Sequence, residues 1–158
     1  RLYNWYAVAG IHDNDPNTAN KEFAPEGWHV PSDAEWTTLE EYLIANGYNY
    51  DGTTTGNKIA KAMASTTGWN SSTEPGAPGN DQSLNNSSGF NAFPEGLRHY
   101  QSIVNGSFDG EGSVAIFWSS TENDTGFALT RGLPNNNSIL YRTLNYQRIG
   151  FSVRFVRD

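Results

Sequence analysis

Only His12, His29 and His99 carry side chains that titrate near neutral pH, so general acid–base chemistry would have to use one of them. His29 lies between Trp28 and Val30 in a block rich in large side chains and reads as a scaffold histidine. The chain has no cysteine, which excludes disulfides, thiolate metal sites and cysteine nucleophiles. It contains no Gly-x-Ser-x-Gly, no His-Glu-x-x-His and no phosphate-cradling glycine loop. Carboxylate pairs such as Glu122/Asp124 and Asp109/Glu111 support hydrolysis only where a fold makes them converge. The sequence therefore predicts a protein that is not an enzyme.

Oxygen ligands are more plentiful. Asp13, Asp15 and Asn17 form an Asp-x-Asp-x-Asn run, with hard donors at alternate positions as calcium takes them. Thr18 stands where a helix–loop–helix calcium site needs glycine and Ala24 where it needs glutamate, so a solvated turn is the simpler alternative. A second oxygen-rich stretch, Asn80 to Asn86, makes Asp81 a further candidate ligand; the alternative is a polar loop capped by its own amides. Calcium is the one cofactor these runs suggest.

Recognition is the chemistry the C-terminal third suits best. Asn123, Asp124, Asn135, Asn136, Asn137, Tyr141, Asn145, Tyr146 and Gln147 gather in or beside its hairpins. Tyr supplies rigid amphipathic area and Asn adaptable hydrogen bonding. With the strands paired as their alternation suggests, many of these residues would share one exposed face and bind a surface protein or a glycan. For Asn135 to Asn137 a solvated hairpin turn is the plain alternative.

The 158 residues carry ten Lys plus Arg against seventeen Asp plus Glu, a net charge of −7. Nucleic acid and anionic membranes need clustered cations, and the only basic cluster is Arg142, Arg148, Arg154 and Arg157. No apolar run approaches the ~20 residues of a membrane span. Neither nucleic acid nor direct membrane insertion is expected. Hydrophobic content is only 36%, but 13% of residues are aromatic. The core must therefore rest on a few large rings, each removing roughly 150–250 Å² from water.

The elements that must position these residues are partly legible. Ser32-Asp33-Ala34-Glu35 is a capping box, and Trp36, Leu39 and Leu43 form one apolar stripe, predicting a helix over 33–45. A weaker helix is predicted over 58–65, with Ile59, Ala60 and Met63 inward and Lys58 and Lys61 outward. Residues 66–89 read as a long loop containing Trp69, which is expected in the core, and 94–112 as a second irregular stretch. Residues 127–131, 139–144 and 151–156 alternate as strands, and Leu2 to Val8 reads as a strand under way. Trp5, Trp28, Trp36 and Trp118 are expected in the core.

Five blocks now stand in order: Leu2-Tyr3-Asn4-Trp5-Tyr6-Ala7, Gly27 to Trp36, Ser87-Ser88-Gly89-Phe90, Phe117 to Glu122, and Gly150 to Asp158. Together they closely resemble the Fibrobacter succinogenes major paralogous domain, a family related to formylglycine-generating-enzyme-type domains. The resemblance implies an α+β, C-type-lectin-like fold: a twisted antiparallel sheet, two flanking helices and long irregular loops. It implies a single domain excised from a longer secreted or bacterial cell-surface protein. Molecular function in that family is largely unassigned, so the expectation of a non-catalytic recognition or adhesion module, binding through loops between Trp118 and Gly150, rests on the residues themselves. Two alternatives stay open: a structural module with no ligand of its own, or a ligand-binding protein of the retroelement-diversified kind, whose varied residues occupy this same region. The cysteine-based activity of formylglycine-generating enzymes does not carry over. The sugar-coordinating Glu-Pro-Asn and Gln-Pro-Asp signatures of animal lectins are absent. Relatives often place one Cys before the Pro-x-Gly-Trp-His block and another in the final strand. Ala24 and Phe155 stand there in this chain, and the resemblance implies that they lie close together.

Overall fold

The Ser32 hydroxyl accepts from the Glu35 amide while the Glu35 carboxylate accepts from the Ser32 amide, and the longest helix starts there. It runs Asp33–Ala45, as the sequence predicts, and is α2, the second of three helices among the described residues. In the computed structural model, which describes residues 1–11, 19, 21–100 and 106–158, α2 packs on a three-stranded antiparallel sheet.

The elements follow in the order α1 (Trp5–Val8), β1 (Trp28–His29), α2, α3 (Ala60–Met63), a single 3₁₀ turn (Gln82–Leu84), β2 (Leu97–Arg98), β3 (Phe108–Asp109), β4 (Val114–Asp124), β5 (Phe127–Pro134), β6 (Tyr141–Tyr146) and β7 (Val156–Arg157). The main sheet has the order β4-β5-β6, while β1 pairs with β7 and β2 with β3, all antiparallel. The fold is α+β.

Successive residues of a strand face opposite sides, so the central sheet builds two cores. Ala115, Phe117 and Leu133 join Trp36, Leu43, Ile59 and Met63 on the α2 and α3 side. Trp118 and Ala128 join Trp5, Val8, Val30 and Phe151 on the α1 side. The strand β5 is buried along nearly its whole length, which explains its run of small and branched residues. Two register shifts interrupt β4 between Trp118 and Asp124. At the first, Ser120 donates to the Pro31 carbonyl and Thr121 Oγ1 accepts from the Asp33 amide, so the irregular segment seats the start of α2.

Several expectations are corrected. Leu2 to Val8 is not a strand: the Asn4 side chain accepts from the Ala7 amide and starts α1, leaving Tyr3 alone to bridge Phe151. The second helix is one turn, Ala60–Met63, and Lys61 is buried inside it, not outward. The final strand is broken: Phe151 and Ser152 make isolated bridges to Tyr3 and Phe117, and only Val156 and Arg157 form β7. Trp28 is 44% exposed on its short edge strand, whereas Trp5, Trp36, Trp69 and Trp118 are buried as expected. Phe155 rests on Phe23, the residue before Ala24, with ring centroids 5.7 Å apart.

Candidate functional site

The β4–β5 hairpin and the end of β6 converge on one open cleft. Phe127 opens β5 and pairs directly with Tyr146, the last residue of β6. Their side chains therefore share a sheet face, with ring centroids 4.4 Å apart. Tyr100, just beyond β2, lays its ring 5.6 Å from Tyr146 and completes a three-ring ladder. Trp5, Tyr6 and Ala9 of the α1 segment form the facing wall, with Ile11, Glu122, Gly126, Gln147 and Arg148 around them. The cleft encloses about 690 Å³.

Gln147 builds this cleft and does not meet solvent. It is 3% exposed, and its Nε2 donates to Glu122 Oε1 (2.8 Å) and to the Phe127 carbonyl (3.4 Å). Its main-chain carbonyl accepts from the Trp5 amide at 2.8 Å, fastening α1 to the end of β6. Trp5 Nε1 donates to the Ser119 carbonyl at 3.0 Å, so the indole forms a fixed floor. Tyr146 is 47% exposed and presents the accessible part of the ladder. Glu122, Asn123, Asp124 and Arg148 are exposed polar groups around it.

The expected recognition residues thus divide. Asn123, Asp124, Tyr146 and Gln147 gather at or beside the cleft. Asn135, Asn136 and Asn137 follow the far end of β5, about 24 Å away at ~3.4 Å per strand residue. Asn135 Nδ2 donates to the Asn70 carbonyl and Asn137 Oδ1 accepts from the Ile139 amide, while Asn136 is exposed. Tyr141 and Asn145 lie on the sheet face opposite to Tyr146 because they differ from it by an odd number of residues. There Asn145 Nδ2 donates to Thr130 Oγ1 at 2.9 Å. The expectation that many of these residues share one exposed face is met only by the group at the cleft: pairing parity and the length of β5 separate the rest. Trp5, Tyr6, Phe127 and Arg148 were missed as site residues. Tyr146 lies beyond the strand predicted over 139–144, so its pairing with Phe127 carried no signal in the predicted register.

The imidazoles stand elsewhere. His29 Nδ1 meets Asp158 Oδ1 and its Nε2 meets Glu35 Oε1, each at 2.7 Å. Ser32 Oγ donates to the other Glu35 oxygen at 2.8 Å. A hydrolytic triad needs the imidazole between hydroxyl and carboxylate; here the carboxylate lies between hydroxyl and imidazole, so the serine gains no base. The hydrogen bond to Asp158 and then that to Glu35 raise the His29 pKa, marking an ion-pair clamp. His99 Nε2 stands 3.5 Å from Asp109 Oδ2, and both side chains are exposed.

Of the calcium candidates, Asp13, Asp15 and Asn17, like His12, lie outside the described residues. The Asp81 carboxylate accepts from Ser83 Oγ at 2.6 Å, while its carbonyl accepts from Lys61 Nζ at 2.9 Å. Among the described residues no group of three or more His, Asp or Glu converges as a metal site. No helix among them is long and apolar enough to cross a membrane.

No curated protein and no solved structure matches the chain. The five ordered blocks that build the capping box, both cores and the β1–β7 closure fall, but for the last residue, within a stretch, residues 1–157, that the family model for the Fibrobacter succinogenes major domain matches, and the chain belongs to that family.

Proposed function

We propose that this chain is a non-catalytic, C-type-lectin-like recognition module of a secreted or bacterial cell-surface protein, and that it binds a glycan in the cleft between α1 and the β5–β6 end. The observation that carries this reading is the ladder of Tyr100, Tyr146 and Phe127, with centroid spacings of 5.6 and 4.4 Å. A pyranose ring has an apolar C–H face and a rim of hydroxyls. The aromatic ladder suits the first, and Glu122, Asn123, Asp124 and Arg148 suit the second. A groove holding a few polar groups beside aromatic walls is the usual form of a small-ligand site. The C-type-lectin-like assignment draws on the order of the five blocks and on a twisted antiparallel sheet flanked by helices. Placement outside the cell draws on the same resemblance.

The test is a glycan and surface-protein array, followed by titration of any binder against variants. Tyr146→Ala is expected to weaken glycan binding about tenfold or more, equivalent to ~1.4 kcal/mol, without altering the circular dichroism spectrum. Asn136→Ala, at the far end of β5, is the control and keeps full affinity. Binding of proteins but no glycan would move the reading to a protein partner. Binding of neither would leave a structural module.

A further inference from the structure

Lys61 lies in α3 with only 8% of its surface exposed, although a lysine is among the residues least often buried. Its ammonium has three hydrogens, and each finds an oxygen: the Asn80 carbonyl, the Asp81 carbonyl at 2.9 Å and Asn85 Oδ1 at 3.1 Å. All three belong to one segment, Asn80 and Asp81 preceding the 3₁₀ turn Gln82–Leu84 and Asn85 following it. Asn85 is itself buried and fixed, since its Nδ2 donates to the Ser65 carbonyl at 2.8 Å and to the Pro78 carbonyl at 3.0 Å. Its Oδ1 is thereby aimed at the ammonium. Asp81 holds a φ of +43°, a left-handed conformation seldom taken by residues with a side chain. The Asn86 amide donates to the Lys61 carbonyl and Ser88 to the Ala62 carbonyl, closing the loop around the short helix.

Two peptide carbonyls and an amide oxygen converging on one point are the donor set of a hard cation. We propose that residues 78–86 form a cation cage in which the Lys61 ammonium takes the place of a metal ion, so that the loop is held by the chain's own charge and opens to Ca²⁺ when that charge is removed. The Asp81 carboxylate, now hydrogen-bonded to Ser83, is the nearby anionic group that would complete coordination of a divalent ion. Burial pushes the Lys61 ammonium below its ordinary pKa, and the Asp81 charge opposes that shift. Calcium requires more oxygens than these, and water would supply the rest. Mg²⁺ demands tighter octahedral geometry and dehydrates reluctantly, which makes it the control ion. This inference is independent of the aromatic cleft.

Thermal unfolding of the wild-type chain and Lys61→Ala, each in EDTA, Ca²⁺ or Mg²⁺, tests the cage. The wild-type Tm is expected to be the same in all three. The K61A Tm is expected to fall by about 10 °C in EDTA and to recover most of that loss in Ca²⁺ but not in Mg²⁺. Lys61→Gln keeps much of the side-chain volume and guards against a variant that does not fold. Gln82 hydrogen-bonds both main-chain groups of Trp69, so this indole adjoins the loop and serves to sensitise bound Tb³⁺. Luminescence is expected from K61Q and not from wild type. A wild-type Tm that rises in Ca²⁺, a K61A Tm unmoved by Ca²⁺, or equal luminescence from both proteins would each overturn the proposal.

Discussion

The His29 imidazole satisfies both facing carboxylates only when both of its nitrogens carry hydrogen, because Asp158 meets one and Glu35 the other. Its folded pKa is accordingly raised above the ordinary value near 6.5. A raised folded pKa means that the contribution to stability is complete below the unfolded value and disappears as pH climbs through the folded one. Chemical denaturation of the wild type is therefore expected to show declining stability above neutrality, and His29→Gln to flatten that decline. Resonance titration of the imidazole supplies the folded pKa independently. A scaffold role for His29 could be read from its neighbours in sequence. The clamp could not, since Asp158 lies 129 positions away. Lys61 fails for a related reason: one helical turn carries too little pattern to show which side faces solvent, and the oxygens that receive it come from 19 to 24 residues on.

Elements here are joined by charge as well as by apolar packing. Arg131 of β5 is fully buried, and its Nη1 donates to Asp33 Oδ1 at 2.6 Å; Arg142 of β6 donates to both oxygens of the same carboxylate. Burial by itself pushes the Asp33 pKa up, but hydrogen bonds from Arg142 and Arg131 outweigh it and hold the carboxyl below its ordinary value. Glu40, one helical face along, is shifted up by burial despite the partial compensation from Arg131. Asp33→Ala strands the Arg131 guanidinium in the interior and is expected to cost about 3–5 kcal/mol in urea unfolding. A loss under 1 kcal/mol would show that Thr37 and Glu40 hold the guanidinium unaided. The helix itself was legible because its capping box spans four consecutive positions. Its partners were not, since alternation in β5 marks Arg131 as inward or outward without saying which. The cleft was half legible on the same grounds: β5 and most of β6 were placed within a few residues, while β4 and its turn into β5 were not anticipated, Tyr100 arrives from an irregular segment, and Trp5 belongs to a short helix where the sequence predicts a strand.

The whole molecule has two cores back to back across one sheet, and the second depends on residues from both distant parts of the chain. Trp118 Nε1 donates to the Tyr3 carbonyl at 2.8 Å, and Trp118 packs edge-on against Phe151 at 4.9 Å. Removing residues 1–9 deletes Trp5 and Val8 and leaves that indole donor without its acceptor. The expected result is loss of near-ultraviolet dichroism and of a single cooperative transition, with a rise in hydrophobic-dye binding. A truncated chain that melts cooperatively would mean that the α2-side core folds alone. The aromatic count anticipated a ring-based core. That it would be divided by a buried central strand was not evident, because Thr130 and Arg131 interrupt the continuous apolar run that marks a strand covered on both faces.

The Tyr3 and Phe151 main chains bond reciprocally at 2.8 and 2.9 Å, and Trp28 stands opposite Arg157 nearby in sequence. Traction along the polypeptide would thus enter and leave at neighbouring points. It would peel these small clasps one bond at a time before any tension reached the long strands, giving the domain a low mechanical yield point.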